Sequence, residues 1–305
     1  MARSNPAPTV TRRAQARLGL LLVVPVMVLT VVFFLFPMIS ALYFSVVDFD
    51  GIDPTPEFVG LANFTEMITD AEVWHSLGNN AIWIVIGTAA PLVIGLLVSL
   101  MIWSVRTGGV AYRLAFFMPF VLPGVAIAIV WGWIYDPVSG WLNRALGAVG
   151  LDGLQRGWLG DPGAALYAVL ATAVWAYSGF VVVIFLSALR NVDVELVDAA
   201  RIDGANAARR LLHVILPQIM PVFLMVLTLT LVGGFSVFDI IFIMTGGGPA
   251  DATNVIGTYA YTNAFQLSRI GYGTALALLI TVLAVPFTIA LNRLQRRLAL
   301  QEVGV

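Results

Sequence analysis

The sequence predicts an all-α integral membrane protein with six transmembrane helices. Of the 305 residues, 60% are hydrophobic and only 11% are charged, whereas a soluble domain averages about 25% charged residues. The mean hydropathy is +0.93. Six apolar runs reach the roughly 20 residues that cross a bilayer, and the expected spans are Leu18–Val47, Leu77–Val105, Leu114–Tyr135, Pro162–Leu189, Gln218–Thr245 and Ile270–Asn292.

The runs carry almost no charge, and Asp239, in the fifth, is the single charged side chain predicted inside a span. Prolines such as Pro25, Pro91 and Pro123 do not argue against helices, because neighbouring helices can satisfy the carbonyls that a proline leaves free. The first run is far longer than the roughly 7–15 apolar residues of a signal peptide. We therefore expect an uncleaved first helix behind a loosely ordered tail, residues 1–17.

Arginine positions predict the orientation. All but three of the 16 basic residues lie in the two tails or in the connections after the second and fourth spans; the exceptions are Arg144, Arg156 and Arg269. The positive-inside rule makes the arginine-rich side cytoplasmic. Both termini are then cytoplasmic, the membrane domain covers residues 18–292, the C-terminal tail covers 293–305, and the loop 190–217 faces the cytoplasm.

Composition also excludes several chemistries. Every basic residue is an arginine, and a P-loop needs a lysine to reach the phosphates of ATP, so the chain is not itself a P-loop ATPase. The absence of cysteine excludes disulfides and thiolate metal sites. His75 and His213 are far apart in sequence, and no His/Asp/Glu cluster falls in the spans. We expect no metal, no bound cofactor and no enzymatic activity.

One polar stretch, ELVDAARIDGANAARRLLHVILP (Glu195–Pro217), separates the fourth and fifth spans. Asp193 is expected to cap a helix that begins just after it. Gly204 is expected to end that helix in the left-handed conformation, and Asn206 to cap a second short helix before the next span. An amphipathic hairpin lying on lipid headgroups is the alternative that periodicity alone leaves open.

The order of residues within this stretch favours a specific family. Asp198-Ala199-Ala200, Gly204 and, after nine residues, Val214-Ile215-Leu216-Pro217 resemble the EAA loop of ABC importer permeases. That pattern is Glu-Ala-Ala, three residues, Gly, nine residues, Ile-x-Leu-Pro; Asp198 and Val214 depart from it conservatively. Three stretches are similar to the carbohydrate branch of the family: FVGLANF (58–64), ARIDGA (200–205) and FDIIFIMTGGGP (238–249).

The resemblance covers nearly the whole chain and implies the type I ABC importer permease architecture, similar to the maltose and glycerol-3-phosphate permeases. It implies a bacterial cell-membrane complex with a second permease carrying its own EAA loop, two ATPase subunits that bind ATP and Mg, and an extracytoplasmic substrate-binding protein, but no nucleic acid. The loop would be a coupling helix that docks on an ATPase subunit. Its implied contact residues are Glu195, Asp198, Ala199, Ala200, Arg201, Asp203, Gly204 and Pro217.

In similar maltose permeases the sugar is held by residues on the two spans that flank this loop. Aromatic rings can stack on the C–H faces of sugars while hydroxyls form hydrogen bonds, and the implied pathway residues are Trp175, Tyr177, Ser178, Phe180, Thr230, Gly234, Ser236, Val237 and Asp239. The alternative is that the aromatics are belt or packing residues and that Gly233-Gly234 serves close helix packing. Asp239 is either a hydrated carboxylate near the outer mouth or a ligand, including one for a cation.

Other transport classes stay open at this point. An ion-coupled secondary transporter needs coupling residues near the midplane and usually an inverted repeat, and neither is evident. An ABC permease for amino acids or polyamines is the alternative within the family. The external segments 136–162 and 245–254 are expected to cap the bundle and contact the binding protein.

Overall fold

The computed structural model describes residues 12–104 and 109–302, and the side chains within 19–104 and 111–296. The predictions made for residues 1–11, Val105, Arg106 and 303–305 lie outside the described residues. Within these limits five helices are long and apolar enough to cross a membrane. A sixth span is obtained when one bent helix pair is counted as a single crossing.

Most of the first span stands apart from the other helices, and only its end packs against the last helix of the chain. Helix α1 (Arg12–Thr30) continues through a π turn (Val31–Leu35) into α2 (Phe36–Phe44). The helix therefore begins inside the segment predicted as a loose tail. Every residue from 19 to 39 is exposed in the isolated chain, so most of this span contributes nothing to the packed core.

A small polar substructure precedes the second span. Strands β1 (Val47–Asp48) and β2 (Glu57–Phe58) pair antiparallel and are followed by α3 (Ala62–Thr69). The buried Asn63 amide donates to the carbonyls of Ser45 and Val47, at 3.0 and 3.1 Å. This side chain ties α3 to the end of the first span, and α4 (Ala71–Ser104) follows.

The third span is not one straight helix as predicted. It is divided into α5 (Gly109–Val121) and α6 (Gly124–Ile134), which are bent by 97°. Pro123 lacks the N–H that would bond the carbonyl four residues earlier, and a proline also excludes the preceding residue from helical geometry. The sequence prediction of one helix for the third span was wrong, because packing against neighbouring helices does not keep the backbone helical at Pro123.

Helix α8 forms the centre of the bundle. It follows α7 (Trp141–Ala148) and a 3₁₀ turn (Asp152–Leu154), and runs from Pro162 to Leu189. It packs along α4 and α5 through small residues. A side chain on Gly95 would collide with Val181, and one on Gly179 would collide with the backbone of Phe116, so these glycines set the close approach of the helices.

The chain between the fourth and fifth spans begins with α9 (Val194–Ile202). The predicted second short helix is instead the start of a long one: α10 (Ala207–Arg210), a π turn (Leu211–Ile215) and α11 (Leu216–Phe235) run on without a gap. In the π turn the N–H of Leu216 bonds to the carbonyl of Leu211. Pro217 therefore lies in the first turn of α11 but within a continuous helix.

The predicted fifth span also ends early. After Phe235 the backbone leaves helical geometry, with φ −149° and ψ −61° at Phe238, before the short helix α12 (Asp239–Met244). Asp239 is therefore outside the long helix and begins α12, so the predicted fifth span is not one continuous helix. The described part of the chain ends with α13 (Ile256–Tyr261), a π turn (Thr262–Gln266) and α14 (Ile270–Glu302), which extends into the predicted C-terminal tail as far as Glu302.

Two apolar clusters define the ends of the bundle. At the upper end, where α4 and α14 begin, Val73, Ile256, Tyr272 and Leu276 pack together. At the lower end, Leu189, Val192, Ile215 and Ile219 join the end of α8 to the beginning of α11. Residues near the end of α4, Leu96 and Leu100, pack against this second cluster, so α4 and α8 run in the same direction.

Candidate functional site

Helix α9 at the lower end is held in shape by its own caps. The Asp193 carboxylate accepts from the Glu195 N–H at 2.9 Å. At the other end, Ala205 N–H bonds to Ala200 O at 2.9 Å and Gly204 N–H to Arg201 O at 3.2 Å, with φ +81° at Gly204. This is a Schellman motif. The predicted caps at Asp193 and Gly204 are confirmed, as is Asn206, which accepts from Arg209 N–H at 2.9 Å.

The side chains of α9 remain largely uncovered, and no residue of this helix is buried. Leu196 is 54% exposed and Ile202 87% exposed, although both are apolar. Of the residues predicted to contact an ATPase, all but the half-buried Ala200 are exposed: Glu195, Asp198, Ala199, Arg201, Asp203, Gly204 and Pro217. Polar and apolar side chains together therefore form a free surface on this helix.

A short set of contacts ties α9 to the spans. The Asp193 N–H donates to Gln218 Oε1 at 2.9 Å, and Gln218 Nε2 donates to Val214 O at 2.9 Å. Val197 packs against the lower-end cluster. Gln218 was not predicted from the sequence, because its partner is 25 residues away. These contacts join α9 to the beginning of α11.

A cavity of about 170 Å³ lies between α4, α8 and α11. Four of the predicted pathway residues line it: Tyr177, Thr230, Gly234 and Val237. The other wall residues were not predicted and are Trp83, Gly87, Ala173, Val174, Gly233 and Ile240.

The remaining predicted pathway residues do not line this cavity. Ser178 is buried and donates to Val174 O at 2.6 Å, Phe180 stacks on Phe120 at 4.9 Å, and Trp175 packs edge-on against Trp131 at 5.4 Å. These contacts agree with the packing alternative for the aromatics. Ser236 and Asp239 are exposed beyond the end of α11.

The two glycines of α11 have different surroundings. A methyl group on Gly234 would lie 3.3 Å from Ile84 Cα of α4, so Gly234 permits close helix packing. A methyl group on Gly233 would meet nothing within 4 Å, and this residue borders the cavity. Helix α11 breaks after Phe235 rather than at the glycine pair.

The glycine-rich connection 245–255, here called the upper loop, is bound by side chains of α4. Asn79 donates to the carbonyls of Asn254 and Ala252 at 2.7 and 3.1 Å, and Asn80 Oδ1 accepts from Ile256 N–H at 2.8 Å. Asn254 in turn donates to Glu72 at 3.1 Å. Sequence reasoning missed these partners, although an amide pair at the start of an apolar run was a usable signal.

Charged and phenolic groups join the helices at the upper end. Asp70 accepts from the hydroxyls of Tyr259 and Tyr272, both at 2.7 Å. Burial opposes ionisation of Asp70, but these bonds and two backbone N–H donors outweigh it and lower its pKa. Burial, with the bond to Asp70, raises the pKa of Tyr259 to about 12. Arg269 pairs with Glu66 at 2.6 Å, and this bond raises the arginine's pKa.

The predicted capping segment 136–162 is organised by Asn143, which sequence reasoning also missed. Its buried amide donates to the carbonyls of Pro137 and Arg156, at 3.1 and 3.0 Å. Its oxygen accepts from Trp158 Nε1 at 2.8 Å. One side chain therefore joins three parts of the segment into a folded unit.

Comparisons with known proteins agree with this architecture. The chain is 31% identical to the multiple sugar-binding transport system permease protein MsmF of Streptococcus mutans, over 86% of this chain and 89% of that protein. It is 29% identical to the trehalose/maltose transport system permease protein MalF of Thermococcus litoralis, over 92% and 95%. A chain of a bacterial alginate ABC transporter has the same fold, with a TM-score of 0.81. That transporter was solved in complex with an alginate pentasaccharide-bound periplasmic protein, and the two chains are 21% identical, over 95% of this chain and 98% of that chain.

The family assignment follows from the extent of the match. Residues 91–300 match the family described as "Binding-protein-dependent transport system inner membrane component". That range includes α9, the cavity wall from α8 and α11, and the upper loop. Because it covers more than two thirds of the chain, this protein belongs to the binding-protein-dependent transport system inner membrane components.

Proposed function

We propose that this multi-pass membrane protein is the permease subunit of an ATP-driven importer and that, with a second permease, it forms the pathway for a sugar. Di- or oligosaccharides and their derivatives are the expected solutes. The observation that carries the solute class is that relatives aligned over most of this chain are named as permeases for trehalose/maltose, multiple sugars and diacetylchitobiose. A glycerol-3-phosphate permease is similar too.

The geometry of the cavity supports this class. Aromatic rings, a hydroxyl from Thr230 and glycine backbone surround it, and such a set offers both stacking faces and hydrogen bonds to a polyhydroxylated solute. Asp239 gives no support for a cationic solute, because its carboxylate is exposed and does not line the cavity.

ATP hydrolysis in this proposal belongs to two partner ATPase subunits, which bind ATP and Mg. Helix α9 docks on one of them, with Leu196 and Ile202 in its apolar contact. The lower end, both termini and α9 face the cytoplasm, in keeping with the arginine distribution. The upper end receives the solute-loaded binding protein.

The same contacts suggest how the motion is transmitted. When the ATPases close around ATP they displace α9, and Gln218 and Val197 pass this displacement to α11. Helix α11 forms one wall of the cavity, so its movement changes which side of the membrane the cavity faces. The chain's own contribution is a lever of fixed shape, since the caps at Asp193 and Gly204 hold α9 together.

The proposed function is tested by purifying the membrane complex through a tag on this chain. ATP hydrolysis is measured in nanodiscs, with and without the binding protein, for maltose, trehalose, diacetylchitobiose and glycerol 3-phosphate. We expect an ATPase to copurify and one solute to stimulate it. If no ATPase copurifies and uptake follows an ion gradient instead, the protein is a secondary transporter and the proposal is wrong.

Two matched variants test the docking role of α9. Ile202→Asp places a charge on the lower-end helix, whereas Ile52→Asp does the same at a residue of similar exposure, 83% against 87%, near the upper end. We expect Ile202→Asp to lose the copurifying ATPase and Ile52→Asp to retain it. Equal retention in both would remove α9 from the ATPase contact.

A further inference from the structure

The cavity wall contains two aromatic side chains whose polar atoms form no hydrogen bond with any side chain or backbone group that the structure describes. Trp83 is only 4% exposed, yet its indole N–H forms no hydrogen bond within the described residues, and neither does the hydroxyl of Tyr177. The buried tyrosines do have partners: Tyr135 donates to Ala168 O at 3.0 Å and Tyr272 to Asp70 at 2.7 Å. Among the described side chains, Thr88 Oγ1 is the buried polar atom without a partner, so the indole N–H of Trp83 is not sealed inside the protein but is accessible from the cavity that Trp83 lines.

Gly87 leaves the indole N–H edge of Trp83 uncovered. A methyl group on Gly87 would lie 3.3 Å from Trp83 Cδ1 and 3.4 Å from Nε1. Both residues border the same cavity. The absent side chain therefore keeps the donor edge of the ring next to open space.

The opposite wall supplies complementary groups. The Thr230 hydroxyl donates back to the carbonyls of Val226 and Leu227, both at 3.0 Å, so its oxygen can still accept a hydrogen bond. The Tyr177 hydroxyl can donate and accept. One fixed donor, one acceptor and one group with both roles fit a solute rich in hydroxyls.

We propose that Trp83 of α4 contacts the transported solute and donates its indole N–H to a solute hydroxyl. This inference rests on the proposed function and extends it, because the solute contacts predicted from the sequence lie only on the two spans flanking α9. Gly87 acts as a positioning residue that keeps the donor accessible. The solute site then has three walls, α4, α8 and α11, within this one chain.

The test uses the complete complex in proteoliposomes with saturating loaded binding protein, and maltose, trehalose and diacetylchitobiose as probes. Trp83→Phe keeps an aromatic ring but removes the N–H. We expect sugar imported per ATP hydrolysed to fall about 2- to 10-fold, which corresponds to a net hydrogen bond. Trp133→Phe is the matched control, since Trp133 is 70% exposed on α6 and lies outside the cavity wall.

Gly87→Ala is a second variant that leaves Trp83 in place and covers its N–H edge. We expect the sugar imported per ATP hydrolysed to fall in this variant too, while the melting temperature of the complex stays close to that of the wild type. If Trp83→Phe leaves the sugar imported per ATP hydrolysed unchanged, whether or not both rates fall together, Trp83 is a packing residue and the proposal is overturned. Failure of the wild type to import any probe would instead overturn the sugar assignment, and the Trp83 contact with it.

Discussion

The upper loop and the α9 loop are both polar connections with glycines at positive φ, yet they are stabilised in opposite ways. In the upper loop, Gly246 and Gly247 have φ +62° and +96°, and amides from α4, far away in sequence, hold the backbone. In the α9 loop, Gly204 has φ +81°, and the caps come from adjacent residues.

Burial follows the same division. Thr253 and Thr258, in and next to the upper loop, are 0% and 1% exposed, whereas α9 contains no buried residue. The upper loop makes its contacts within its own chain. The α9 loop has a fixed shape, but the rest of the described chain leaves its surface uncovered. A helix that transmits motion from another subunit needs such an uncovered surface. The comparison predicts that stability depends on the upper contacts and coupling depends on the lower ones.

The largest effect on stability is expected at Asn79. Asn79→Leu leaves the carbonyls of Ala252 and Asn254 without their donor, and we expect a loss of about 2–6 kcal/mol, at about 1–3 kcal/mol for each of the two unsatisfied groups. The measurement is the melting temperature of the purified protein. Asn191→Ala, at an exposed lower-end residue, is the control, and a comparable loss there would contradict the division between the two ends.

Gly204→Val should impair coupling more than stability. A β-branched residue in the left-handed region costs roughly 1–2 kcal/mol, which here displaces α9 rather than unpacking the spans. Gly150→Val is a matched control, because Gly150 has φ +76° and a Cβ added to either glycine would meet no described atom within 4 Å. We expect a several-fold lower solute-stimulated ATP hydrolysis for Gly204→Val only. An equal loss of ATP hydrolysis in both variants would mean that backbone strain at either glycine impairs the complex, and that the position of Gly204 beside α9 is not the cause.

Acid should weaken the upper end through Asp70. Its pKa is lowered in the folded protein, so its contribution is present above its ordinary pKa of about 3.9 and is lost as the pH falls through the folded value. We expect the melting temperature to fall on acidification below about pH 4, and Asp70→Asn to flatten that dependence. Asp198→Asn, on the exposed face of α9, should leave the profile as in wild type; a flattening there would refute the assignment.

The smallest effect is expected at the Glu66–Arg269 pair. Both side chains are 43% exposed, and exposed pairs contribute roughly 0.2–1 kcal/mol. Glu66→Gln should lower the melting temperature slightly at low salt and not at about 1 M salt, where the screening length is about 3 Å. A large, salt-independent loss would show that the pair supports the upper end more strongly than its exposure suggests.

Features that depend on adjacent residues were predictable from the sequence. Asp193, Gly204 and Asn206 form the caps expected of them because each acts within a few positions of itself. The breaks near Pro123 and after Phe235 were not predicted, since whether neighbouring helices support a broken segment is a tertiary property. Trp83 and Asn79 were missed for the same reason, as their partners come from helices far along the chain.

The isolation of the first span has a consequence for biogenesis. Its residues 19–39 touch little else in the chain, and its mean hydropathy of 2.9 is higher than that of the other four candidate spans. It can therefore enter the bilayer as an independent helix while the ribosome is still making the rest. Helix α8, half of whose most apolar window is buried, reaches its final environment only after α4 and α11 have been synthesised beside it.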